Sequence, residues 1–329
     1  MASSRKQLSL LICASALAAS GSLWGQSSNS RIEEVSVLGR QLNLIGSATS
    51  ASEGFVSQSE LDLRPLLRVG EVLETVPGLV ATQHSGSGKA NQFFLRGFNL
   101  DHGTDFATSV DGMPVNMRSH GHGQGYTDLN FLIPELIGSI EFNKGSYQAA
   151  SGDFAGAGSA EISTASREIK SQLSFGAGAF GFRRALAVGS EEVANGNLTY
   201  GLEKQSYAGA WDSIDEDVDR ANLWLKQSWG TQESGFDITF MGYDNSWHSA
   251  DQIPERAVES GLISEFGSID STVGGDSSRY SLSSSWRSSN ALGNYRASAY
   301  VIDYDMNLYS NISYFSAPEG DQIQQLDDR

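Results

Sequence analysis

The sequence predicts an α+β domain followed by an antiparallel sheet of about seven strands. Three observations predict this fold class. The first residues have the pattern of an export signal, residues 61–165 mix helical spacing with short strands and turn signals, and from about residue 168 apolar and polar residues alternate with a period of two. The net charge of −17 argues against a nucleic-acid partner, because no basic surface is available to replace phosphate counterions.

Residues 1–25 are predicted to be a cleaved secretory signal peptide. Arg5 and Lys6 precede an apolar stretch from Leu8 to Ala19, and small residues follow. This stretch is too short to cross a bilayer as a helix, and no later run reaches about 18 apolar residues. The sole cysteine, Cys13, lies within the signal, so the exported chain should rely on neither disulfides nor thiolate metal ligands.

Residues 26–60 form a polar N-terminal extension that contains one β-prone segment, "IEEVSV", at 32–37. A short extended segment of this kind can add as a strand to the sheet edge of a partner, with main-chain hydrogen bonds supplying the affinity. The residues alone also allow a strand of the following domain or a disordered tail.

Residues 61–165 are predicted to be a compact domain with both helix and strands. Leu66, Val69, Leu73 and Val76 have helical spacing, and Pro77–Gly78 is a stop signal. The stretches "QFFLRGF", "FATSVDGMPVN" and "SIEFN" predict strands, the second with a turn at Asp-Gly, and "GAGSAEISTA" closes the domain.

Residues 166–329 are predicted to be antiparallel strands, because side chains of one kind recur at every second position. The predicted apolar faces are Leu198, Tyr200 and Leu202; Phe236, Ile238 and Phe240; and Tyr295, Ala297, Ala299 and Val301. A transmembrane β-barrel and a soluble β-sandwich both produce this alternation, so the strands alone leave the two open. The polar stretch 247–270 interrupts the rhythm and is predicted to be a long loop.

Five motifs in order give the chain a resemblance to the N-terminal part of a TonB-dependent outer-membrane receptor. They are "IEEVSV", "VGEVLETVPGL", "FFLRGF", "SVDGMPVN" and "ELIGSIEFNKGSYQAASGDFAGAGSAEIST". The resemblance implies an α+β plug domain at 61–165 followed by antiparallel transmembrane β-barrel strands at 166–329. A barrel of about 22 strands needs about 220 residues for its strands alone, and only about 160 follow the plug, so the barrel in this chain is expected to be incomplete.

The resemblance implies active transport across the outer membrane, not catalysis. The expected ligand is an iron chelate, a metal or a similar scarce nutrient, and the expected partners are TonB, outer-membrane lipid and that extracellular ligand. The segment expected to contact TonB, the TonB box, consists of Ile32, Glu33, Glu34, Val35, Ser36 and Val37. The glycine-rich stretches match neither a dinucleotide fingerprint nor a P-loop in context, and no nucleophile-elbow or zinc-protease motif is present.

By position in the family, two plug loops should face the ligand, at 99–105 and 116–126. The candidate ligand-contacting residues in them are Asp101, His102, Asp105, Arg118, His120, His122, Gln124 and Tyr126. Imidazole suits borderline transition metals, so His102, His120 and His122 are candidate metal ligands, although no cofactor is certain. Contact with a metal-free ligand and a purely structural use of these histidines remain open.

Two alternatives to a transporting receptor remain open at this point. One is a truncated remnant that does not transport. The other is a soluble secreted binding module made of the plug and a β-sandwich.

Overall fold

The computed structural model describes residues 47–66, 68–83, 86–165, 169–231, 233–311 and 322–329. The predicted signal peptide and the predicted TonB box at 32–37 lie outside the described residues, as does His84. Within these ranges, no helix is long and apolar enough to cross a membrane.

The N-terminal domain, residues 47–165, is built on a six-stranded mixed sheet. The strands are β1 Ser47–Ser50, β2 Glu53–Ser57, β6 Phe106–Val110, β7 Met113–Pro114, β8 Ile137–Lys144 and β9 Gly158–Thr164. Their order in the sheet is β1-β2-β8-β9-β6-β7. Only β6 and β9 pair in parallel. The sheet includes β1 and β2, from a segment before residue 61 that shows little strand pattern in the sequence.

A second, three-stranded sheet in this domain consists of β3 Leu79–Thr82, β4 Gln92–Leu95 and β5 Phe98–Asn99. The helices are short. They are α1 Gln58–Leu61 and the 3-10 helices Val69–Thr75, Pro134–Leu136 and Ala149–Ser151. The predicted helix is therefore present as a 3-10 helix, which is confined to seven residues because Pro77 and Gly78 follow it. Its side chains Val72, Leu73 and Val76 are fully buried.

The predicted turn at Asp111–Gly112 is confirmed, and a second turn of the same kind occurs at Arg96–Gly97. Asp111 and Gly112 have φ of 49° and 79° between β6 and β7, and Arg96 and Gly97 have φ of 49° and 86° between β4 and β5. Two successive residues with positive φ form the turn that matches the right-handed twist of a hairpin, and glycine takes the second position without steric cost. The Glu161 carboxylate accepts a hydrogen bond from the Gly112 amide at 2.8 Å and so holds this turn to β9.

The strand domain, residues 169–329, is one open antiparallel sheet in which each strand pairs with the next along the chain. Its described residues form eight strands, one more than the approximate count from the sequence: β10 Gln172–Ala177, β11 Arg183–Val193, β12 Gly196–Tyr207, β13 Val218–Gly230, β14 Gly235–His248, β15 Gly274–Asn290, β16 Gly293–Asn311 and β17 Gln322–Asp328. The predicted interruption separates β14 from β15 and contains a short helix, α2 Glu255–Glu259.

The two faces of this sheet differ in a way that decides between the barrel and the sandwich. In β14, Phe236 and Ile238 are each 38% exposed on the outer face, whereas Asp237 and Thr239 between them are 3% exposed and face the N-terminal domain. Along β12, Thr199 and Glu203 are likewise buried on the inner face. Apolar side chains outside and polar side chains inside are the pattern of a transmembrane barrel wall, whereas a soluble sandwich buries its apolar face.

The main apolar core lies in the N-terminal domain and extends to the inner face of the sheet. Leu73, Leu95, Phe106 and Ile140 are almost completely buried in it. The sheet contributes the inner-face side chains Leu186, Val188, Trp224, Met241 and Tyr243. The N-terminal domain is thus packed against the inner face of the strand domain through shared core residues.

Candidate ligand-binding site

The two loops predicted to contact ligand, 99–105 and 116–126, lie side by side and are joined by one side chain. The Nδ2 of Asn116 is 2.8 Å from the Gly103 carbonyl in the first loop and 3.2 Å from the Gly125 carbonyl in the second. Its Oδ1 accepts a hydrogen bond from the Thr108 amide at 2.7 Å. Asn116 therefore fixes both loops to the start of the β6–β7 hairpin, a role that sequence reasoning did not assign to it.

Glycine is required where the loops approach most closely. A Cβ added to Gly125 would lie 2.7 Å from the Thr104 Cα, and one added to Gly103 would lie 2.2 Å from the Thr127 Oγ1. Both glycines also have positive φ, 75° and 122°. The glycine-rich composition of the second loop thus lets two backbones pack in direct contact.

His102 and His122, one from each loop, meet ring to ring. Their Nε2 atoms are 3.1 Å apart, and the rings cross at 62°. His102 is 4% exposed, and its Nδ1 lies 2.9 Å from the Ala90 carbonyl oxygen. The Nδ1 of His122 lies 2.6 Å from the Oε1 of Gln325 in β17. The site therefore brings together two of the three predicted metal ligands.

His120, the third predicted metal ligand, points elsewhere. Its ring stacks on Tyr126 with 3.9 Å between centroids, its Nδ1 accepts a hydrogen bond from the His122 amide at 3.0 Å, and its Nε2 is 3.3 Å from the Tyr304 hydroxyl. Burial lowers the pKa of His120 to about 4, although Asp327 opposes this. A neutral ring that accepts at Nδ1 carries its proton at Nε2, so that nitrogen has no lone pair for a metal.

The described residues contain no cluster of three or more metal-ligating side chains arranged to hold an ion. The predicted set of three histidines is thus not assembled, because His120 is held by the aromatic pair Tyr126 and Tyr304. A metal role for the remaining two histidines stays a prediction.

Tyr126 is the buried residue that contacts all three histidine rings of the two loops. It is fully buried, and its hydroxyl accepts a hydrogen bond from the Ala90 amide at 2.9 Å. Burial, with the nearby Asp128, raises the pKa of its phenol well above the usual value, so it stays neutral. Tyr126 therefore contributes to the site through ring contacts with His102, His120 and His122 and presents no polar group to a ligand.

The other predicted residues surround this centre at different distances from it. The Asp101 carboxylate is exposed, and its Oδ1 is 3.7 Å from the His102 Nε2. Asp105 lies beside Gly156 instead, and Arg118 forms an exposed ion pair of 3.3 Å with Asp153. Gln124 is exposed. Of these four, only Asp101 borders the histidine pair.

Three residues of the strand domain complete the site and were missed from the sequence. Tyr304 in β16 and Gln325 in β17 contact His120 and His122, and the Asp327 Oδ2 accepts a hydrogen bond from the Gly121 amide at 2.8 Å. They are about 200 residues away from the loops in the chain, and nothing in their local pattern marks them as partners. The alternation of residues along β16 and β17 places these side chains on the inner face of the sheet, and this signal could have suggested contact with the N-terminal domain.

Comparison with known proteins identifies the domain that carries these loops. A family model for the TonB-dependent receptor plug domain matches residues 45–159. This domain is a TonB-dependent receptor plug. It is called the plug from here on, and β10–β17 are called the barrel strands.

Solved structures show the same fold over most of the chain. The copper transporter OprC matches with a TM-score of 0.60 and 16% identity, covering 81% of this chain and 39% of its own. The siderophore receptor PirA from Acinetobacter baumannii gives 0.57 and 16%, covering 84% and 44%. The pyoverdine outer-membrane receptor FpvA from Pseudomonas aeruginosa PAO1 gives 0.59 and 13%, covering 83% and 40%. The chain thus has the receptor fold and spans about two fifths of the length of these structures.

Two ion pairs join the plug to the barrel strands, and the one at the β6–β7 turn is buried. The Lys226 Nζ of β13 lies 3.1 Å from the Asp111 carboxylate and 2.9 Å from the Thr164 hydroxyl. Arg184 of β11 binds Glu135 of the plug through two hydrogen bonds, of 2.5 and 2.9 Å, and contacts Glu203 in the next strand. These contacts fix the orientation in which the plug presents its histidine loops.

Proposed function

We propose that the protein acts as a TonB-dependent active-transport receptor of the outer membrane. It binds a scarce extracellular ligand, an iron chelate, a metal or a similar nutrient, at the plug loops 99–105 and 116–126. Energy reaches the plug through TonB bound at residues 32–37. The observation that carries this proposal is the plug itself, a domain of the receptor family whose two loops meet in one polar site beside the barrel strands.

The outer face of the barrel strands supports outer-membrane lipid as a partner. Leu282 and Val301 pair across β15 and β16 and are 52% and 69% exposed, and Trp286 nearby is 47% exposed. An apolar band of this kind is stable against lipid and costly in water. It weighs against the alternative of a soluble secreted module. Binding to TonB distinguishes a working receptor from a non-transporting remnant, because only the working receptor is expected to contact TonB.

A cross-linking experiment on the full chain tests the proposal without knowledge of the ligand. In a Cys13→Ser background, Val35→Cys places a single thiol in the proposed TonB box, and Gln124→Cys places one in the exposed plug loop as a matched control. We expect the product in the outer-membrane fraction, with cross-linking to a cysteine-bearing TonB from residue 35 only. Outer-membrane product without a cross-link at residue 35 would favour the remnant, and product released in soluble form would favour the secreted module.

A further inference from the structure

We infer that Arg279, on the inner face of β15, anchors a buried binding site for a small monovalent anion of the halide class between the plug and the barrel strands. The inference goes beyond the proposed function, because this anion would be a bound component of the interface and not the transported ligand. It rests on the surroundings of one buried cation and on the count of charges around it.

The strand register places Arg279 within a row of polar side chains on the inner face. Asn222 pairs with Tyr243, and Tyr243 pairs with Arg279, so these three side chains form one row across β13, β14 and β15. Arg220 lies two residues before Asn222, on the same face of β13. The plug covers this row, because the Asn222 Nδ2 donates a hydrogen bond to the Asn130 carbonyl oxygen at 3.2 Å. Arg279 therefore lies at the interface between the plug and the sheet.

The guanidinium of Arg279 differs from three other cations on the inner face of the sheet. Arg184, Arg220 and Lys226 each have a carboxylate oxygen nearby, at 2.5, 3.6 and 3.1 Å. Arg279 is 2% exposed, and among the residues that the structure describes no carboxylate forms an ion pair with it. Its Nε has no hydrogen-bond partner within those residues. A buried charge without a partner is costly, so this position favours a counter-charge.

The contacts that Arg279 does make leave its N–H groups able to bind an anion. Its Cζ lies over the Phe131 ring of the plug, 4.6 Å from the ring centroid. Its Nη2 lies 3.9 Å from the Met113 Sδ. An aromatic face and a thioether are weak acceptors, whereas a guanidinium presents several strong donors in one plane. A small anion beside Nε would accept a charge-assisted hydrogen bond that neither neighbour supplies.

Asp128 is the acidic group of the plug that acts electrostatically on Arg279, but the two form no ion pair within the described residues. Its Oδ1 accepts a hydrogen bond from the Asn130 amide at 2.8 Å instead, in a local turn that fixes the carboxyl group. Asp128 is 4% exposed, and burial raises its pKa to about 6, although the Asn130 amide and Arg279 oppose the shift. The carboxyl therefore becomes neutral under mildly acidic conditions.

The charges around Arg279 then differ by one. The neighbouring arginines of β11 and β13 are matched by two carboxylates, Glu135 and Glu203. When Asp128 is protonated, the positive charge of Arg279 has no counter-charge in this part of the interface. One bound monovalent anion restores the balance. Anion binding and protonation of Asp128 therefore favour each other, because each lowers the free-energy cost of the other.

The titratable and charged groups that face Asp128 come from the plug and from four barrel strands. They are Tyr126 of the plug, Arg220 of β13, Tyr243 of β14, Arg279 of β15 and Tyr304 of β16. Phenols stay neutral and guanidinium groups stay charged between about pH 5 and 8. Among these groups, Asp128 is therefore the one that titrates in this range.

Thermal unfolding of the full chain in detergent tests the inference. Chloride or bromide replaces gluconate, an anion too large for the interface, step by step at constant ionic strength. We expect a saturable rise of the unfolding midpoint with either halide at about pH 5.5, and an apparent halide affinity at least about tenfold weaker at about pH 7.5, because Asp128 is then ionised. In crystals grown with bromide at the lower pH, an anomalous scattering peak should lie within hydrogen-bond distance of the Arg279 Nε.

Variants separate this site from a general salt effect. Arg279→Gln should abolish the halide dependence. Asp128→Asn imitates the protonated carboxyl, so its halide affinity should stay high and become equal at the two pH values. A merely structural role of Asp128 would not remove the pH dependence and keep the affinity. Lys204→Gln is the matched control, since that cation belongs to an exposed ion pair on the outer face, and it should behave as the unaltered chain does. Circular dichroism confirms that each variant is folded.

The inference is overturned if neither halide gives a saturable effect relative to gluconate, which would mean that water alone satisfies Arg279. It is also overturned if Arg279→Gln keeps the halide dependence, or if the unaltered chain has the same halide affinity at both pH values. Should Arg279→Gln fail to fold, the Asp128→Asn variant and the position of bromide decide the question. None of these results depends on contact with TonB.

Discussion

The plug and the barrel strands distribute apolar side chains in opposite ways. In the plug, Leu73, Phe106 and Ile140 are almost completely buried in the core. In the barrel strands, Leu282 and Val301 face outward, while Ser281 and Thr239 are about 3% exposed on the inside. Alternation in a sequence therefore defines the two faces of a strand, and the surroundings of the strand decide which face is buried.

The interface between the plug and the barrel strands differs from both regions, because it buries charged side chains as an ion pair. The Lys226–Asp111 pair has side chains that are 5% and 11% exposed, whereas the Lys204–Asp219 pair on the barrel strands is 57% exposed on both sides. Burial makes the first pair costly to break and leaves the second nearly without effect. Loss of the buried pair is therefore expected to have the largest effect on the free energy of unfolding among the substitutions below.

Lys226→Met should lower the free energy of unfolding by about 3–5 kcal/mol, because the Asp111 carboxylate would stay buried without its cation. Lys204→Met is the matched control and should cost less than about 1 kcal/mol. Denaturant unfolding of the full chain in detergent measures both. Equal costs would show that the plug is not held against β13 through this pair.

Leu282→Arg tests the outer face. If the outer face contacts lipid as proposed, an arginine near its middle should cost about 2–4 kcal/mol, whereas Leu292→Arg, at the turn between β15 and β16, should cost about 0–1 kcal/mol. The measurement is reversible unfolding in lipid bilayers. A similar cost at both positions would mean that the outer face does not contact the hydrocarbon core.

Asn116→Leu tests whether the two loops depend on one shared side chain. The loss should be about 1–3 kcal/mol, since the buried Gly103 carbonyl and the Thr108 amide would both lose a partner. Arg118→Leu removes an exposed ion pair in the same loop and should have little effect. Hydrogen exchange of the backbone amides at residues 99–105 measures the loss of stability in the loop. Unchanged protection of these amides in the Asn116→Leu variant would contradict the prediction.

Asp128 should give the plug a pH-dependent stability. Burial raises the pKa of this carboxyl to about 6, although the Asn130 amide opposes the shift. Because the folded state then holds the proton more tightly than the unfolded state, the contribution is fully present below about pH 4 and is lost as pH rises through about 6. Its slope cannot exceed about 1.4 kcal/mol per pH unit.

Unfolding measured between pH 4 and 7 checks this expectation. Asp128→Asn should remove the slope, and Asp153→Asn, at an exposed position, serves as the control. A slope that persists in Asp128→Asn would assign the pH dependence to another group.

Local signals in the sequence predicted much of the fold. The Asp111–Gly112 turn was found because few residues accept positive φ, and the Phe236 and Ile238 face was found because its period is two. β1 and β2 were missed because they lie in a stretch of mostly small and polar residues with only scattered apolar ones, and they are strands because β1 pairs with β2 and β2 pairs with β8. That pairing joins residues about 90 positions apart, so no local pattern records it.

The candidate site was predictable only in part, for the same reason. The positions of His102 and His122 in adjacent loops followed from the family motifs. The exclusion of His120 did not, because it depends on stacking with Tyr126 and on the Tyr304 hydroxyl. The contact of His122 with the Gln325 side chain likewise depends on β17, which no local pattern links to the loop.

The residues that contact the His102 and His122 rings lie in different parts of the chain. His102 contacts the Ala90 carbonyl of the plug, whereas His122 contacts Gln325 of β17. The Gly121 amide donates a hydrogen bond to Asp327 of the same strand. Because the supports of the two rings lie on different parts of the chain, any displacement of the plug relative to β17 would change the distance between the rings.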